Sequence, residues 1–330
     1  MRAALLSRFG HALEVGRLAR PTATAGQALI RVRAVGLCGT DLKILDGVQR
    51  PDLALPAVLG HEIAGEVVES TDPSLRPGAR VACYPYLVCG YCRSCARGRG
   101  NICPRARLVG LDEPGGLAEY LAVPVANLLR FSAGTEFAAA AVSMDAVAVT
   151  WHALVGRGQL TQDERVVVVG AGGLGLNAVQ IAVGRGAEVA VVEPDARRRA
   201  VAERLGAKWA VAPDEQAELA GWADLSFEVS GTRAGFDAAA AALAEGGRLV
   251  CCGYCPGTEF GLDSRDLVGR EVSVLGSRGS TRADTVLALA AVERGEIRPV
   301  IDSMRELAQA PDAVARLRSG QAVGRVVIAV

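Results

Sequence analysis

Four cysteines in one short stretch of the chain are able to hold a metal ion. They are Cys89, Cys92, Cys95 and Cys103, with the spacing C-x2-C-x2-C-x7-C. Four thiolates close tetrahedrally on one Zn²⁺ and leave no open position, so such a site stabilises structure and does no chemistry. An iron–sulfur cluster and four free thiols are the alternatives, but the cysteine run of bacterial ferredoxins closes with a shorter last gap. The spacing therefore favours a structural zinc.

A second set of metal-binding residue types lies in two short loops nearer the start of the chain. Cys38 opens the segment CGTD, and the segment GHE supplies an imidazole at His61 and a carboxylate at Glu62. All three groups bind Zn²⁺, and catalytic zinc sites typically have three protein ligands and an open fourth position. Because a turn glycine and a carboxylate flank His61, the sequence predicts a catalytic metal site here.

A glycine-rich turn predicts a dinucleotide site. Residues 170–175 read GAGGLG, which contains G-x-G-x-x-G, and they follow the apolar run 166–169 and open a helix. Gly170 permits the tight turn, Gly172 lets the backbone approach a pyrophosphate, and Gly175 lets the helix pack closely on the strand. The free N–H groups of the helix N-terminus then face the phosphates.

Glu193, at the end of the next predicted strand, is the candidate ribose ligand. Its carboxylate can accept hydrogen bonds from a ribose diol and would repel a 2′-phosphate. Three arginines follow at 197–199, and arginine can pair with a 2′-phosphate. The sequence therefore favours NAD, with NADP as the alternative.

Two kinds of framework must position these groups. Before residue 130, glycine and proline interrupt short apolar runs such as 28–35, 63–68 and 80–83, which predicts a small, mostly β domain. A helical stretch over 137–155 leads to a second half in which strands and helices alternate. Its apolar strands indicate a parallel sheet covered by helices. They are predicted over 166–169, 188–192, 209–212, 225–229, 248–252 and 272–275.

These motifs, with a further one that reads G-x-A-E-Y over 116–120, resemble those of zinc-dependent medium-chain dehydrogenase/reductases of the alcohol, polyol and threonine dehydrogenase type. The resemblance covers nearly the whole chain and implies an α/β fold. A GroES-like, mostly β catalytic domain would take residues 1–145 and 278–330, with the structural zinc in a lobe at about 83–105. A Rossmann domain with a doubly wound parallel sheet would bind the cofactor with residues 146–277.

The resemblance also implies roles for site residues. Cys38 and His61 would hold a catalytic zinc, with Asp145 as the remaining ligand and Glu62 as an alternative or transient one. A carboxylate that caps a helix is the alternative for Asp145. The chain would thus carry two zinc ions, one catalytic and one structural.

Thr40 matches the hydroxyl that passes a proton from the alcohol in this family. Lys43 stands where many relatives have a relay histidine, so the outer part of the proton path departs from the family pattern. The remaining implied cofactor contacts lie along the turn, the next helix and a later strand end. They are Gly173, Leu174, Arg198, Cys252, Gly253 and Tyr254.

The implied reaction is NAD(H)-dependent interconversion of an alcohol and its ketone or aldehyde by hydride transfer. Secondary alcohols, polyols and amino alcohols are all candidate substrates. A zinc-independent quinone or enoyl reductase of the same fold is one alternative, but such proteins normally lack both metal-binding motifs. A zinc-stabilised binding or scaffold protein is another, and it leaves Cys38, His61 and Glu193 unexplained.

The composition restricts partners and compartment. Thirty-six basic residues balance thirty-six acidic ones, so the chain lacks a broad electrostatic footprint for nucleic acid. No run reaches the about 18 uninterrupted apolar residues that span a bilayer. Nine cysteines and a start without an apolar leader favour reduced thiols in the cytoplasm. The partner is expected to be a small-molecule substrate, and the resemblance implies a homodimer or homotetramer.

Overall fold

Apolar runs between turn residues form the strands of the computed structural model, which describes all 330 residues. In chain order the strands are β1 (Arg2–Leu6), β2 (Glu14–Arg17), β3 (Gln27–Leu37), β4 (Ala57–Val58), β5 (Glu62–Ser70), β6 (Arg80–Cys83), β7 (Tyr86–Leu87), β8 (Arg107–Leu108), β9 (Tyr120–Pro124), β10 (Leu128–Arg130), β11 (Arg165–Val169), β12 (Glu188–Val192), β13 (Trp209–Val211), β14 (Ala223–Glu228), β15 (Leu243–Cys251), β16 (Ser273–Gly276), β17 (Ile301–Glu306) and β18 (Arg325–Ala329).

Several helices begin at residues whose side chains accept hydrogen bonds from the first turn, as Asp195 and Thr281 do. The α-helices are α1 (Gly39–Leu45), α2 (Arg93–Ala96), α3 (Phe137–Val142), α4 (Ala148–Trp151), α5 (Gly175–Gly184), α6 (Ala196–Arg204), α7 (Arg233–Ala241), α8 (Ser264–Gly269), α9 (Arg282–Glu293) and α10 (Ala310–Arg318). Short 3₁₀ helices span Gly100–Ile102, Val125–Asn127, Gln216–Leu219 and Leu307–Gln309.

The first unit is mostly β. It comprises Met1–Asp145, Thr281–Gly295 and Ile301–Val330. Its main sheet has seven strands in the order β10-β6-β5-β3-β18-β17, with β9 also paired to β3. The strand β3 lies at the centre because its eleven residues pair with both β5 and β18. A smaller sheet, β2-β1-β4, shares the same buried apolar core.

The second unit has the predicted α/β architecture. It comprises Ala146–Ser280 and Glu296–Val300, and its six strands are all parallel in the order β13-β12-β11-β14-β15-β16. The chain moves outward from β11 in one direction and from β14 in the other. Open parallel sheets bind ligands at the carboxyl ends of the strands where the order reverses. The limits predicted from the sequence for the two domains, 1–145 with 278–330 and 146–277, stay a prediction.

A long apolar helix runs through Phe137–Arg157, two residues beyond its predicted end. Two π-helical turns, Ser143–Val147 and His152–Arg157, interrupt its α-helical geometry. By length and composition this helix is able to cross a membrane, but 78% of its most apolar window is buried inside the protein. Such burial is typical of a core helix in a globular protein.

Candidate active site and metal centre

Three adjacent strands of the first unit bring the predicted metal ligands together. Cys38 directly follows β3, Glu62 begins β5 opposite Gly36, and Arg325 begins β18. Because β3 lies between β5 and β18, these residues meet at one edge of the sheet. A Cβ atom at Gly36 would lie 1.9 Å from Oε2 of Glu62, so the absence of a side chain there makes room for that carboxylate.

Asp41 orients both Cys38 and His61. Its Oδ2 accepts a hydrogen bond from the Cys38 backbone N–H at 2.7 Å, which caps the first turn of α1. Its Oδ1 lies 3.4 Å from Nδ1 of His61, and both side chains are buried. A carboxylate beside one ring nitrogen fixes the orientation of a histidine whose other nitrogen binds metal.

Asp145 completes the cluster from a π-helical turn, a local geometry that is frequent at functional sites. The ligand atoms of Cys38, His61, Glu62 and Asp145 all lie within 4.8 Å of one another. The Asp145 side chain is 18% exposed, whereas that of Glu62 is fully buried. Asp145 is thus the more accessible carboxylate of the two.

Sequence reasoning missed Arg325, which neutralises part of this cluster. Its Nη2 lies 2.9 Å from Oε1 of Glu62 and 3.0 Å from Oδ2 of Asp145, and only 5% of its side chain is exposed. The available signal was a charged residue at the start of the apolar strand RVVIA. Buried charges are almost always paired, but the spacing along the chain does not identify the partners.

The charges of the cluster depend on one another. Burial would raise the pKa of the Cys38 thiol, but Arg325 and His61 hold it below its ordinary value. Although burial also opposes charge on Asp145, a hydrogen bond and the charge of His61, together with Arg325, hold its pKa well below the usual range. These contacts favour the thiolate of Cys38 and the carboxylate of Asp145, the forms that bind metal. Although burial opposes the charge of His61, Asp41 and Asp145 raise its pKa well above the ordinary value, so a metal ion would have to displace a proton from that ring.

The buried oxygens of Glu62 are consistent with a cation site. Neither oxygen accepts a hydrogen bond of good geometry. Burial, with the nearby Asp145 and Cys38 charges, raises the pKa of this carboxyl well above its ordinary value despite Arg325. Oε1 already has the Arg325 guanidinium as an ionic partner, but Oε2 has none, and a buried carboxylate oxygen normally has a cation or a donor beside it. A donor set of one thiolate, one imidazole and two carboxylates fits zinc.

The four-cysteine lobe has the geometry of a closed metal site. Sγ of Cys95 lies 3.5 Å from that of Cys92 and 3.9 Å from that of Cys89, and Cys103 lies 3.6 Å from Cys89. A tetrahedron with metal–sulfur bonds of about 2.3 Å has sulfur–sulfur edges of about 3.8 Å. Hydrogen bonds, first of all from the Tyr91 backbone, lower the pKa of Cys89 to about 6, whereas burial and the neighbouring thiols raise that of Cys95 to about 12. The four cysteines therefore fit one zinc ion.

The glycine turn borders a cavity of about 480 Å³ in the second unit. A Cβ atom at Gly175 would lie 1.8 Å from the carbonyl oxygen of Gly170, so α5 can begin so close to β11 only with glycine there. Glu193 reaches the turn, because its Oε2 accepts a hydrogen bond from the Ala171 N–H at 2.6 Å. Its Oε1 accepts one from the Asp195 N–H at 3.0 Å.

Most of the predicted cofactor residues line this cavity. They are Gly170, Gly172, Gly173, Leu174, Gly175, Glu193 and Arg198. Cys252, Gly253 and Tyr254 do not line it. The backbone N–H groups of Cys252 and Gly253 donate to the carbonyl of Glu228, and Tyr254 is 50% exposed. Their cofactor role stays a prediction.

Both halves of the chain are similar to known proteins. Residues 24–133 match the alcohol dehydrogenase GroES-like domain, and residues 173–294 match the zinc-binding dehydrogenase domain. The chain is 36% identical to L-galactonate-5-dehydrogenase of Escherichia coli K12, over 78% of this chain and 77% of that protein. It is 31% identical to an alcohol dehydrogenase of Geobacillus stearothermophilus, and the match covers both chains completely. The crystal structure of an NAD-dependent alcohol dehydrogenase superposes with a TM-score of 0.94 at 30% identity, with full coverage of both chains.

Proposed function

Because the chain belongs to the zinc-dependent medium-chain dehydrogenase/reductase family, whose members interconvert alcohols and carbonyl compounds, we propose that it does so with NAD(H) and a zinc ion at Cys38, His61 and Asp145. The observation that carries the proposal is the cluster of four ligand atoms within 4.8 Å. The four-cysteine lobe would hold a second, structural zinc. The same cluster argues against a zinc-independent reductase, because such an enzyme does not need metal ligands at its active site.

A bound zinc ion acts as a Lewis acid that polarises the oxygen of the alcohol or carbonyl group. Arg325 contacts both carboxylates, but Asp145 is the better third ligand because its side chain is partly exposed, whereas that of Glu62 is fully buried. Asp41 keeps the His61 ring in place through the contact to Nδ1. Glu62 then remains an alternative ligand.

Thr40 is the residue proposed to take the proton from the substrate hydroxyl. It lies in the first turn of α1, two positions after Cys38, and its side chain is half-buried. A hydroxyl serves as both donor and acceptor, so it can accept one proton while it passes on another. Lys43 follows three residues later, on the same side of the helix.

The surroundings of Glu193 support NAD over NADP. Its carboxylate is 3% exposed, and its negative charge lies at the edge of the cavity beside the glycine turn. All three nearby arginines have partners: Arg197 pairs with Asp195, Arg199 donates to the carbonyls of Glu193 and Pro194, and Arg198 pairs with Glu193 and Asp195. Only Arg198 lines the cavity, and its Nη1 lies 3.7 Å from Glu193. A 2′-phosphate would therefore meet a carboxylate first.

The test is the variant Cys38→Ser, with Cys255→Ser, an exposed thiol outside both clusters, as the control. NADH formation is measured with a panel of secondary alcohols, polyols and amino alcohols, with NAD and with NADP. We expect Cys38→Ser to lose more than about 100-fold in turnover, since second-shell changes alone cost about 10- to 100-fold. It should still bind NADH, while the control behaves as wild type. Full activity of Cys38→Ser would disprove this metal site.

A further inference from the structure

A further cavity lies in the first unit and has no part in the proposed reaction. Its volume is about 610 Å³, and it lies where the four-cysteine lobe meets the ends of β6 and β9 and the start of α9. None of the four candidate ligands of the catalytic metal lines it, and it shares no residue with the nucleotide cavity. Cavities of about 300 to 1,000 Å³ with a few well-placed polar groups are typical of small-molecule sites.

The floor of this cavity is apolar and held in place by the protein itself. The side-chain amide of Asn127 donates to the backbone carbonyls of Tyr84 and Tyr86 at 2.8 and 2.9 Å, which fixes the tyrosine segment. The two rings lie 5.5 Å apart and are almost completely buried. Val88, which also lines the cavity, is 42% exposed. A ligand that covers this apolar surface gains free energy by removing it from water.

Arg282 is the only basic residue in the lining, which contains no acidic residue. It is the first residue of α9, and its Nε donates to the carbonyl of Ala126 at 3.1 Å. Neither Nη nitrogen forms a hydrogen bond or an ion pair within the protein. A guanidinium held through Nε can still donate from its Nη groups to a carboxylate, and such charge-assisted hydrogen bonds are strong.

The charges around the cavity also favour an anion. Residues 73–111 contain seven arginines and no aspartate or glutamate. Four thiolates on one Zn²⁺ would carry a net charge of about −2 beside the cavity. Four exposed arginines of the same lobe offset this charge, and they are Arg93, Arg97, Arg99 and Arg105. The charge of Asp284 acts on Tyr84, but Asp284 does not line the cavity, and its carboxylate accepts the Thr281 hydroxyl at 2.5 Å.

We propose that this cavity binds a small apolar carboxylate, whose carboxylate group pairs with Arg282 while its apolar part lies against Val88, Pro124 and Ala126. The proposal does not depend on the proposed function, because the site lies apart from the residues assigned to zinc and NAD(H). A bound carboxylate contacts both the four-cysteine lobe and the body of the first unit. It should therefore stabilise the folded protein.

The test compares 1-naphthoate with 1-naphthamide, an uncharged molecule of similar shape. Binding of each to the full-length, zinc-loaded protein is measured by isothermal titration calorimetry. We expect wild type to bind 1-naphthoate about tenfold more tightly than 1-naphthamide, because only the former makes a charge-assisted pair with Arg282. Saturating 1-naphthoate should also raise the unfolding temperature.

Two variants remove different parts of the site. Arg282→Gln should bind 1-naphthoate about tenfold more weakly and 1-naphthamide as wild type does, so that the preference disappears. Ala126→Trp should lose both ligands, because Ala126 is exposed and a large side chain there fills the cavity. Arg130→Gln is the matched control, since Arg130 is exposed nearby and does not line the cavity. It should behave as wild type.

Cys38→Ser separates this site from the proposed catalytic metal, which could also attract a carboxylate. It should bind 1-naphthoate as tightly as wild type does, and loss of binding in this variant would overturn the proposal. Equal affinity of wild type for the two ligands, or unchanged 1-naphthoate binding in Arg282→Gln, would overturn it as well. So would the failure of wild type to bind 1-naphthoate. None of these results bears on the proposed alcohol dehydrogenase activity.

Discussion

Arg325 is the residue on which the charge balance of the metal cluster most depends. Its guanidinium lies within 3.0 Å of two carboxylates and is almost completely buried. Removal of one partner of a buried ion pair leaves the others uncompensated, which costs about 3 to 5 kcal/mol. Here a single cation faces two carboxylates.

We therefore expect Arg325→Met to lower the free energy of unfolding by about 3 kcal/mol or more. Arg305→Met is the matched control, because Arg305 is exposed on the adjacent strand β17. Urea denaturation of both variants at neutral pH measures the difference. Equal stability of the two variants would contradict a structural role for this ion pair.

Glu228 provides a prediction about pH. It is fully buried at the end of β14, and its Oε1 accepts hydrogen bonds from Ser230 Oγ at 2.5 Å and the Gly231 N–H at 2.8 Å. Burial raises the pKa of this carboxyl, although these hydrogen bonds oppose the shift. A raised pKa means that ionisation destabilises the folded state, and the cost is complete only above the folded pKa.

We expect Glu228→Gln, which keeps an acceptor at Oε1, to be more stable than wild type at pH 8. Its advantage should shrink as the pH falls through the raised pKa toward the ordinary value of 4.5. The exposed Glu245→Gln is the control. Thermal unfolding from pH 8 to 5 measures the trend, and an advantage that grows with falling pH would reverse the sign argued here.

At the scale of elements, the four-cysteine lobe is the part of the fold that we expect to depend on a bound metal ion. The helix α2 has only four residues and buries none of them, so packing contributes little to its stability. Structural zinc sites supply folding free energy directly. The lobe therefore needs its four thiolates to stay folded.

We expect Cys95→Ser to reduce the zinc content from about two ions per chain to about one and to lower the unfolding temperature. Cys83→Ser is unsuitable as a control, because Cys83 is buried in the core of the first unit. Cys255→Ser is a suitable one. Metal analysis and thermal unfolding test the prediction, and an unchanged zinc content would exclude zinc binding by the lobe.

The sequence best predicts those helices and strands whose secondary structure follows from their own residues. The run Glu188–Val192 was predicted with its observed limits, because four consecutive apolar residues are buried on both faces of a parallel sheet. The strand β17, IDSMRE, was missed because it has no clear alternation of apolar and polar residues. Its pairing with β18 makes it a strand.

The same distinction applies to the candidate site. Cys38, His61 and the glycine turn are recognisable from residue type and spacing. Arg325 is not, because its significance comes from contacts with residues distant in the chain. A lone arginine in the sequence carries no signal until the fold gives it neighbours.

For the molecule as a whole, the two binding functions are divided between the two units. The four candidate ligands of the catalytic metal belong to the first unit. Every residue that lines the nucleotide cavity belongs to the second. Metal and nucleotide binding should therefore be separable.

We expect a chelator such as 1,10-phenanthroline to abolish turnover and leave NADH affinity within about threefold of that of the untreated protein. Fluorescence titration before and after treatment measures the affinity, and restoration of turnover by added zinc controls for irreversible damage. Parallel loss of NADH binding would show that the nucleotide site needs the metal.

The position of β18 in the main sheet has a consequence for biosynthesis. This strand pairs with β3, although the entire second unit is translated between them. Domains fold as units while the nascent chain leaves the ribosome, so the parallel sheet of the second unit can form first. The main sheet of the first unit cannot be completed until β18 is made, almost three hundred residues after β3. Arg325 arrives with that strand. If the proposed catalytic ion binds at this site, its incorporation into the charge-balanced pocket is therefore expected to be a late event in maturation.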